Sequence, residues 1–367
     1  MRYKRILLVD TCTSFGGVAI YLGGVAQLID GKAKLYAICG DSDLARLLRE
    51  RGVQSSVLKY AERRSKSLLI MFSALAIPYM RLRYGISTIW LTGNSEVMLL
   101  PLVRLLGCTG IVTRHLTLRD ETAEWRGTPR KKISHILFMR LAFLAAKIIC
   151  VSRSVADDLA TFVPQRKLVV IPNWVPVLPV LQAKTFRPQN EPLRLLFVGR
   201  LEEYKGCSVL LQALHSLNVQ DEHIAVSLTV VGAGEYRNEL EREAEGLDVR
   251  FVGFQKDTEP FYRDADIFVN PSKGPEGLPL VSLEAMSYGL PCIFSDLLVH
   301  QEITDNGKYA LLFRSADADD LSMKIKSLLR SRRRLERYGS LAREVIESRH
   351  TAKIAQACYL KQLGIEP

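Results

Sequence analysis

The sequence predicts an α/β protein made of two doubly wound parallel-sheet domains, on three observations. At 367 residues the chain exceeds what one core usually encloses. Short aliphatic runs alternate with helical patterns along most of it, which implies parallel strands covered on both faces. A proline-rich, aperiodic stretch over 172–192 separates two such series and reads as a linker. The expected partition is a first domain over 1–171, the linker, a second domain over 193–350, and a closing helix or tail over 351–367. That last helix could return to brace the first domain.

The first series opens with the strand-like run Arg5–Val9, ended by Asp10. A loop follows and reaches Gly16 and Gly17 at the start of a helical pattern carrying Val18, Tyr21, Leu22 and Val25. Adjacent glycines at a helix start let backbone approach a ligand and leave N–H groups free for an anion. The spacing is not G-x-G-x-x-G, and no acidic residue ends the next strand to hold a ribose. Many tight turns use glycine, so the pair alone says little. Further strands are expected at Ala33–Cys39, Val53–Leu58, Thr88–Leu91, Gly110–Thr113, Lys147–Val151 and Leu168–Ile171. His115 follows the fourth of these runs, at the sheet edge where open α/β sheets bind ligands. A lone histidine there is as readily a structural hydrogen-bonding residue as a catalytic one.

The second series restarts at Arg194–Val198. Gly199 and Arg200 end that strand, and Lys205 with Gly206 opens the next helix. Two cations five positions apart could converge there on a diphosphate. Strands are expected at Val226–Val231, Val249–Val252, Ile267–Val269, Cys292–Phe294 and Ala310–Phe313, with a Gly-rich turn at Gly232 to Glu235. The chemistry concentrates in the stretch from Phe268 to Pro291. A buried strand leads into a Pro/Gly loop and then a helix from about Leu278, with Pro279 in the first turn and Gly289 as C-cap. The N–H groups of Gly277, Leu278, Leu280 and Val281 would make a phosphate seat. Glu276 in the loop and Glu284 on the helix would supply acceptors for hydroxyl groups. Such a site suits a nucleotide sugar; the plainer alternative is an ordinary βα unit with a solvated Glu276.

Charge is uneven. Residues 1–171 carry 26 Lys and Arg against 12 Asp and Glu, a net +14, and the rest of the chain nets −3. A basic first half suggests an anionic partner: a lipid surface, a lipid diphosphate or nucleic acid. A solvated basic face is the bland alternative. Basic residues Arg63, Arg64 and Lys66 precede the apolar run from Leu68 to Pro78, with Arg81 and Arg83 beyond it. Arg130, Lys131 and Lys132 precede a second run from Ile133 to Ala146. Either could lie on an anionic membrane, although both are also needed to cover the sheet. Seven cysteines without a CxxC pair point to reduced thiols. The apolar run after MRYKR is short for a signal peptide and no run spans a bilayer, so the expectation is a cytoplasmic protein, either free or peripheral on the inner membrane face.

Taken together, Val198 to Leu201 with Lys205-Gly206, Val231 to Gly234, Glu276 to Leu280, and Glu284 to Met286 with Gly289 to Pro291 resemble glycosyltransferase family 4. The resemblance covers the second domain strongly. In the first it rests on Gly16-Gly17, Cys150 to Ser152 and Ile171 to Asn173. It implies a retaining GT-B enzyme, with two Rossmann-like domains facing across a cleft. By that resemblance Arg200 and Lys205 hold the donor diphosphate and stabilise the departing charge. Glu284 takes the ribose hydroxyls, and Glu276 those of the donor sugar. Gly199, Gly277, Leu278, Pro279 and Leu280 line the donor, and Gly16 and Gly17 let the first domain close on the diphosphate. His115 matches only by position near the transferred sugar. No metal or other cofactor is expected; Asp264-Ala265-Asp266 has an Asp-x-Asp form, but its second aspartate leads into a buried strand. The implied reaction moves sugar from a UDP- or GDP-sugar to a lipid-linked or polysaccharide acceptor in surface-glycan synthesis, such as lipopolysaccharide, O-antigen or exopolysaccharide. The alternatives are a nucleotide-sugar epimerase of the same fold and a non-catalytic basic protein binding nucleic acid or membrane. A glycosidase carboxylate pair would leave Arg200, Lys205 and the phosphate seat without purpose. Nucleic acid is disfavoured because aromatic and basic residues are not interleaved.

Overall fold

The computed structural model describes residues 3–12, 16–57, 66–93, 95–116, 136–175, 191–220, 226–274 and 276–366. Two compact units form: residues 1–173 with 353–367, and residues 174–352. The basic residues Arg63, Arg64, Arg130, Lys131 and Lys132, and linker positions 176–190, lie outside the described residues.

The first unit contains β1 (Lys4–Asp10), β2 (Ala33–Cys39), β3 (Gln54–Val57), β4 (Thr88–Leu91), β5 (Thr109–Arg114), β6 (Lys147–Cys150) and β7 (Leu168–Val170). They form one parallel sheet in the order β3-β2-β1-β4-β5-β6-β7. The second unit contains β8 (Leu193–Val198), β9 (Val226–Val231), β10 (Val249–Gly253), β11 (Ile267–Asn270), β12 (Cys292–Ser295) and β13 (Leu311–Phe313). Their order, β10-β9-β8-β11-β12-β13, repeats the first. Every strand run expected from the sequence is present, to within one residue at each end. The reason is physical: strands buried on both faces must be aliphatic throughout, and the interior residues of β1, β4, β11 and β12 are buried without alternation.

Helices cover the sheets. In the first unit these include α1 (Gly17–Leu28), α2 (Ser42–Glu50), α3 (Lys66–Tyr84), α4 (Leu100–Leu105) and α5 (Arg153–Leu159). In the second unit they are α6 (Cys207–Gln220), α7 (Arg237–Glu243), α8 (Glu259–Asp264), α9 (Leu280–Ser287), α10 (Leu298–Thr304), α11 (Ala318–Leu329) and α12 (Arg332–Arg349). The final helix, α13 (Ala352–Leu363), belongs to the first unit almost entirely. There the Tyr359 and Tyr21 hydroxyls meet at 2.7 Å, both buried, and Gln356 donates to Leu28 O at 2.6 Å. The core of the second unit joins β8, β9 and β11 to α6 and α11 through Leu195, Phe197, Leu210, Leu214, Leu321 and Ile325. All seven cysteines are unpaired. Among the described residues, no helix is long and apolar enough to cross a membrane.

Candidate functional site

A strand order of this kind reverses direction beside its first strand, and the crevice lies where neighbouring strands diverge at their carboxyl ends. In the second unit that point falls between β8 and β11. Gly199 and Arg200 leave β8 there, and the loop carrying Glu276 leaves β11. Three glycines make the approach possible. Gly206 has φ +70°, and a Cβ on it would lie 2.0 Å from Pro271 O. Gly232, at φ +143°, would put one 1.8 Å from Gly199 O, and Gly234 one 2.2 Å from Leu201 O. Only glycine lets these backbones touch. The contact is secured by Lys273 N donating to Tyr204 O at 2.7 Å.

This closeness brings Lys205 to Glu276. The ammonium donates to Glu276 Oε1 at 2.5 Å, and Ser272 Oγ lies 2.7 Å from the same oxygen. Glu276 is 6% exposed, so the pair is shielded from water and is stronger than a surface ion pair. Arg200 is turned outward instead, pairing with Glu202 and donating to the Tyr204 hydroxyl. Its side chain is two-thirds exposed and is therefore free to swing.

Helix α9 begins at Leu280, with Pro279 as its extended N-cap, so the helix starts two residues later than the sequence suggested. A proline at that point leaves Leu280 as the first residue with helical geometry and its N–H groups open to the loop. Gly277, Leu278 and Pro279 are buried in the turn ahead of it. Gly289 follows the helix at φ +67°, the left-handed position that suits glycine after a helix end. Glu284 is held from behind by the Tyr262 hydroxyl, which donates to its Oε2 at 2.9 Å. Burial raises the Glu284 carboxyl above its usual range, and the Tyr262 hydrogen bond opposes that rise. Tyr262 in turn stacks on Tyr288, with centroids 5.3 Å apart. Asp266 is buried and accepts from Arg194 N at 3.0 Å, a structural use that leaves the Asp-x-Asp form without a free carboxylate pair.

In the first unit, residues 13–15, 58–65, 94 and 117–135, which follow β1, β3, β4 and β5, lie outside the described residues. Gly16 and Gly17 are exposed at the start of α1, and a Cβ on either would meet nothing within 4 Å among the described residues. His115 sits one residue past β5, its ring edge-on to Tyr21 at 4.7 Å. Its Nε2 is buried and has no hydrogen-bond partner among the described residues. Burial, helped by the charge of Arg114, pushes the His115 pKa down to about 4, so the ring is neutral at pH 7. The structure thus groups Gly199, Arg200, Lys205, Glu276, Gly277, Leu278, Pro279, Leu280 and Glu284 in one unit, and Gly16, Gly17 and His115 in the other. The sequence reading missed Ser272 and Tyr262. Ser272, four positions before Glu276 in the same loop, was open to suspicion; Tyr262 reaches Glu284 only through the fold.

Residues 192–331 match the family model described as glycosyl transferases group 1, and residues 42–177 match that of glycosyltransferase family 4. The chain belongs to glycosyltransferase family 4. This family-4 chain is 27% identical over 227 residues to the lipopolysaccharide core biosynthesis glycosyltransferase LpsE of Rhizobium meliloti, covering 60% of the chain and 64% of that protein. It is 34% identical over 157 residues to the phosphatidyl-myo-inositol mannosyltransferase of Mycobacterium leprae, covering 41% of each. The match thus spans under two thirds of either relative. Anabaena HepE, solved with UDP-glucose, superposes with a TM-score of 0.80 at 16% identity, covering 99% of the chain and all of that structure. At that identity the likeness is one of fold, and the fold is GT-B.

Proposed function

We propose that the chain is a retaining glycosyltransferase that moves a sugar from a nucleoside-diphosphate sugar to a lipid-linked or polysaccharide acceptor. The observation that carries this reading is the Lys205–Glu276 pair at the switch point of the second sheet, one helix start away from Glu284. A cation and two carboxylates so placed match the three parts of a donor: diphosphate, sugar hydroxyls and ribose hydroxyls. In this reading Lys205 and Arg200 hold the diphosphate, and Arg200 leaves Glu202 to do so. As the bond from the anomeric carbon to the phosphate oxygen breaks, its electron pair goes to the phosphate, where both cations stabilise it. Glu276 orients the sugar, and the acceptor hydroxyl attacks from the face the nucleotide leaves, giving its proton to the departing phosphate oxygen. No metal enters this scheme.

The lipopolysaccharide and phosphatidylinositol relatives favour a surface-glycan role with an acceptor at the cytoplasmic face of the membrane. HepE was solved with UDP-glucose, so UDP-sugars come first among the donors to test. The outer face of α3 supports contact with an anionic bilayer. Met71, Leu75, Tyr79 and Leu82, at helical spacing, are 50%, 71%, 62% and 86% exposed, and Arg81 and Arg83 lie in the last turn. An apolar stripe ending in basic residues, on the positively charged half of the chain, suits a membrane surface.

The deciding experiment is nucleotide release from UDP-, GDP-, ADP- and CMP-sugars without acceptor. Slow release of a nucleoside diphosphate from one donor, lost in Glu276→Gln and Lys205→Ala, is the expected outcome. Silence across the panel together with no thermal shift from any nucleotide would overturn the reading.

A further inference from the structure

We propose that His300 is a positioning residue for the donor sugar, acting through Asn270 and Ser272 to hold the Glu276 carboxylate with one oxygen closed and the other open. This rests on the glycosyl-transfer reading and adds to it a residue that would touch neither substrate nor nucleotide. His300 lies on α10 and is fully buried. Its Nε2 stands 3.4 Å from Asn270 Nδ2, which also donates to Ser282 Oγ at 3.0 Å. On its other side Asn270 Oδ1 faces both the backbone N–H of Ser272, at 3.3 Å, and Ser272 Oγ, at 2.9 Å. Ser272 Oγ is the group 2.7 Å from Glu276 Oε1.

Proton counting fixes how this chain of contacts is wired. A serine hydroxyl has one proton to give, and a carboxylate is a stronger acceptor than an amide oxygen. The Ser272 hydroxyl therefore donates to Glu276, and its backbone N–H serves Asn270 Oδ1. The Asn270 amide has two N–H groups, one on Ser282 and the other directed at His300 Nε2. That nitrogen must then accept, which places the imidazole proton on Nδ1, 2.9 Å from Ser295 O. Burial pushes the His300 pKa down to about 4, so Nε2 remains an acceptor at neutral pH. Ser295 Oγ closes the circuit by donating to Ser272 O at 2.6 Å. His300 Nδ1 also lies 3.1 Å from Ser295 Oγ, and in this wiring one tautomer and one amide orientation serve His300, Asn270 and Ser282 together, as in a buried polar network that specifies a geometry. Its consequence is at the far end. Oε1 of Glu276 is taken by Lys205 and Ser272, whereas Oε2 has no hydrogen bond from any described residue and is left for a sugar hydroxyl.

The test is calorimetric titration of the full-length chain with three pairs: UDP and UDP-glucose, GDP and GDP-mannose, ADP and ADP-glucose. The quantity read is the affinity the sugar adds to its nucleotide. Ser272→Ala and His300→Phe should each cut that increment about tenfold and leave the nucleotide alone bound within about twofold. His300→Gln, whose amide can replace Nε2 as acceptor, should recover most of it. Equal losses for nucleotide and nucleotide sugar, or an intact increment in Ser272→Ala, would overturn the proposal. A second measurement needs no ligand: imidazole nitrogen shifts should show the Nδ1–H tautomer of His300 at pH 6 to 8, and an Nε2–H tautomer would break the relay outright. A wild-type chain that binds none of the six compounds overturns the glycosyl-transfer reading and the sugar role with it, while the tautomer independently settles whether the relay exists.

Discussion

Gly206 and Gly17 occupy equivalent places in the two units: each lies at the start of the helix after its sheet's first strand. Their surroundings are opposite. A Cβ at Gly206 would collide with Pro271 O, whereas one at Gly17 would meet no described residue within 4 Å. Around Gly206 the neighbouring loops are already in contact and the charges paired before any ligand arrives. Around Gly16 and Gly17 no described residue comes that close, and His115 Nε2 has no hydrogen-bond partner among the described residues. One topology therefore packs its loops against each other beside β8, while among the described residues the start of α1 shows no such contact. A donor has parts common to the whole class, a diphosphate and a ribose, and suits a preformed site.

The sharpest way to break this contrast is at the charges. Glu276→Gln or Lys205→Ala should lower kcat at least about 100-fold, measured in a donor-turnover assay, and should also lower the melting temperature, because each leaves a shielded partner uncompensated. Wild-type turnover in either variant would remove the second unit from the chemistry. Next in size is Gly206→Ala, which adds a left-handed alanine and a clash with Pro271 O; a loss of about 3 kcal/mol of stability is expected, read by urea denaturation. Gly17→Ala is its control. It should leave stability within about 0.5 kcal/mol yet weaken donor turnover if the space beside it is for a ligand.

The buried histidines sharpen the comparison through pH. Both fold with pKa values pushed down to about 4, so between pH 6.5 and 4 the unfolded chain takes up protons the folded one refuses. Their contribution is therefore complete above pH 6.5 and lost on acidification through that window, about 2–3 kcal/mol for fully buried His300. Asp10 works against them, because burial and nearby Glu96 lift its carboxyl to about 6, which favours the folded state as pH falls. His300→Gln should flatten the acid limb of a stability–pH curve. The smallest effect is expected on α3: Leu75→Ser with Leu82→Ser should reduce partition onto anionic vesicles about tenfold without changing nucleotide binding.

The sequence was most legible where burial is complete. Strands covered on both faces have no choice but aliphatic runs, so β4, β9 and β2 could be delimited to the residue. The residues proposed to hold the donor could be named from sequence because they fall within single βα units, as Glu276 and Glu284 do. What escaped is what bridges elements. Tyr262 on α8 meets Glu284 on α9, and His300 on α10 meets Asn270 on β11, and neither pairing leaves a local pattern. The start of α9 was placed early because Pro279 fits a helix's first turn and an extended N-cap equally well; the loop before it decided the matter.

The buried Tyr21–Tyr359 contact joins residues 338 positions apart, with consequences for how the chain is made. Residues 174–352 are contiguous and can close their core as soon as they emerge from the ribosome. The first unit, although begun earlier, lacks α13 until residue 363 has been translated. At ordinary elongation rates that wait lasts about 10–40 s after residue 174, with the Tyr21 hydroxyl lacking its Tyr359 partner. A stop codon before α13 would therefore damage the first unit, although it lies far from that unit's other residues in sequence.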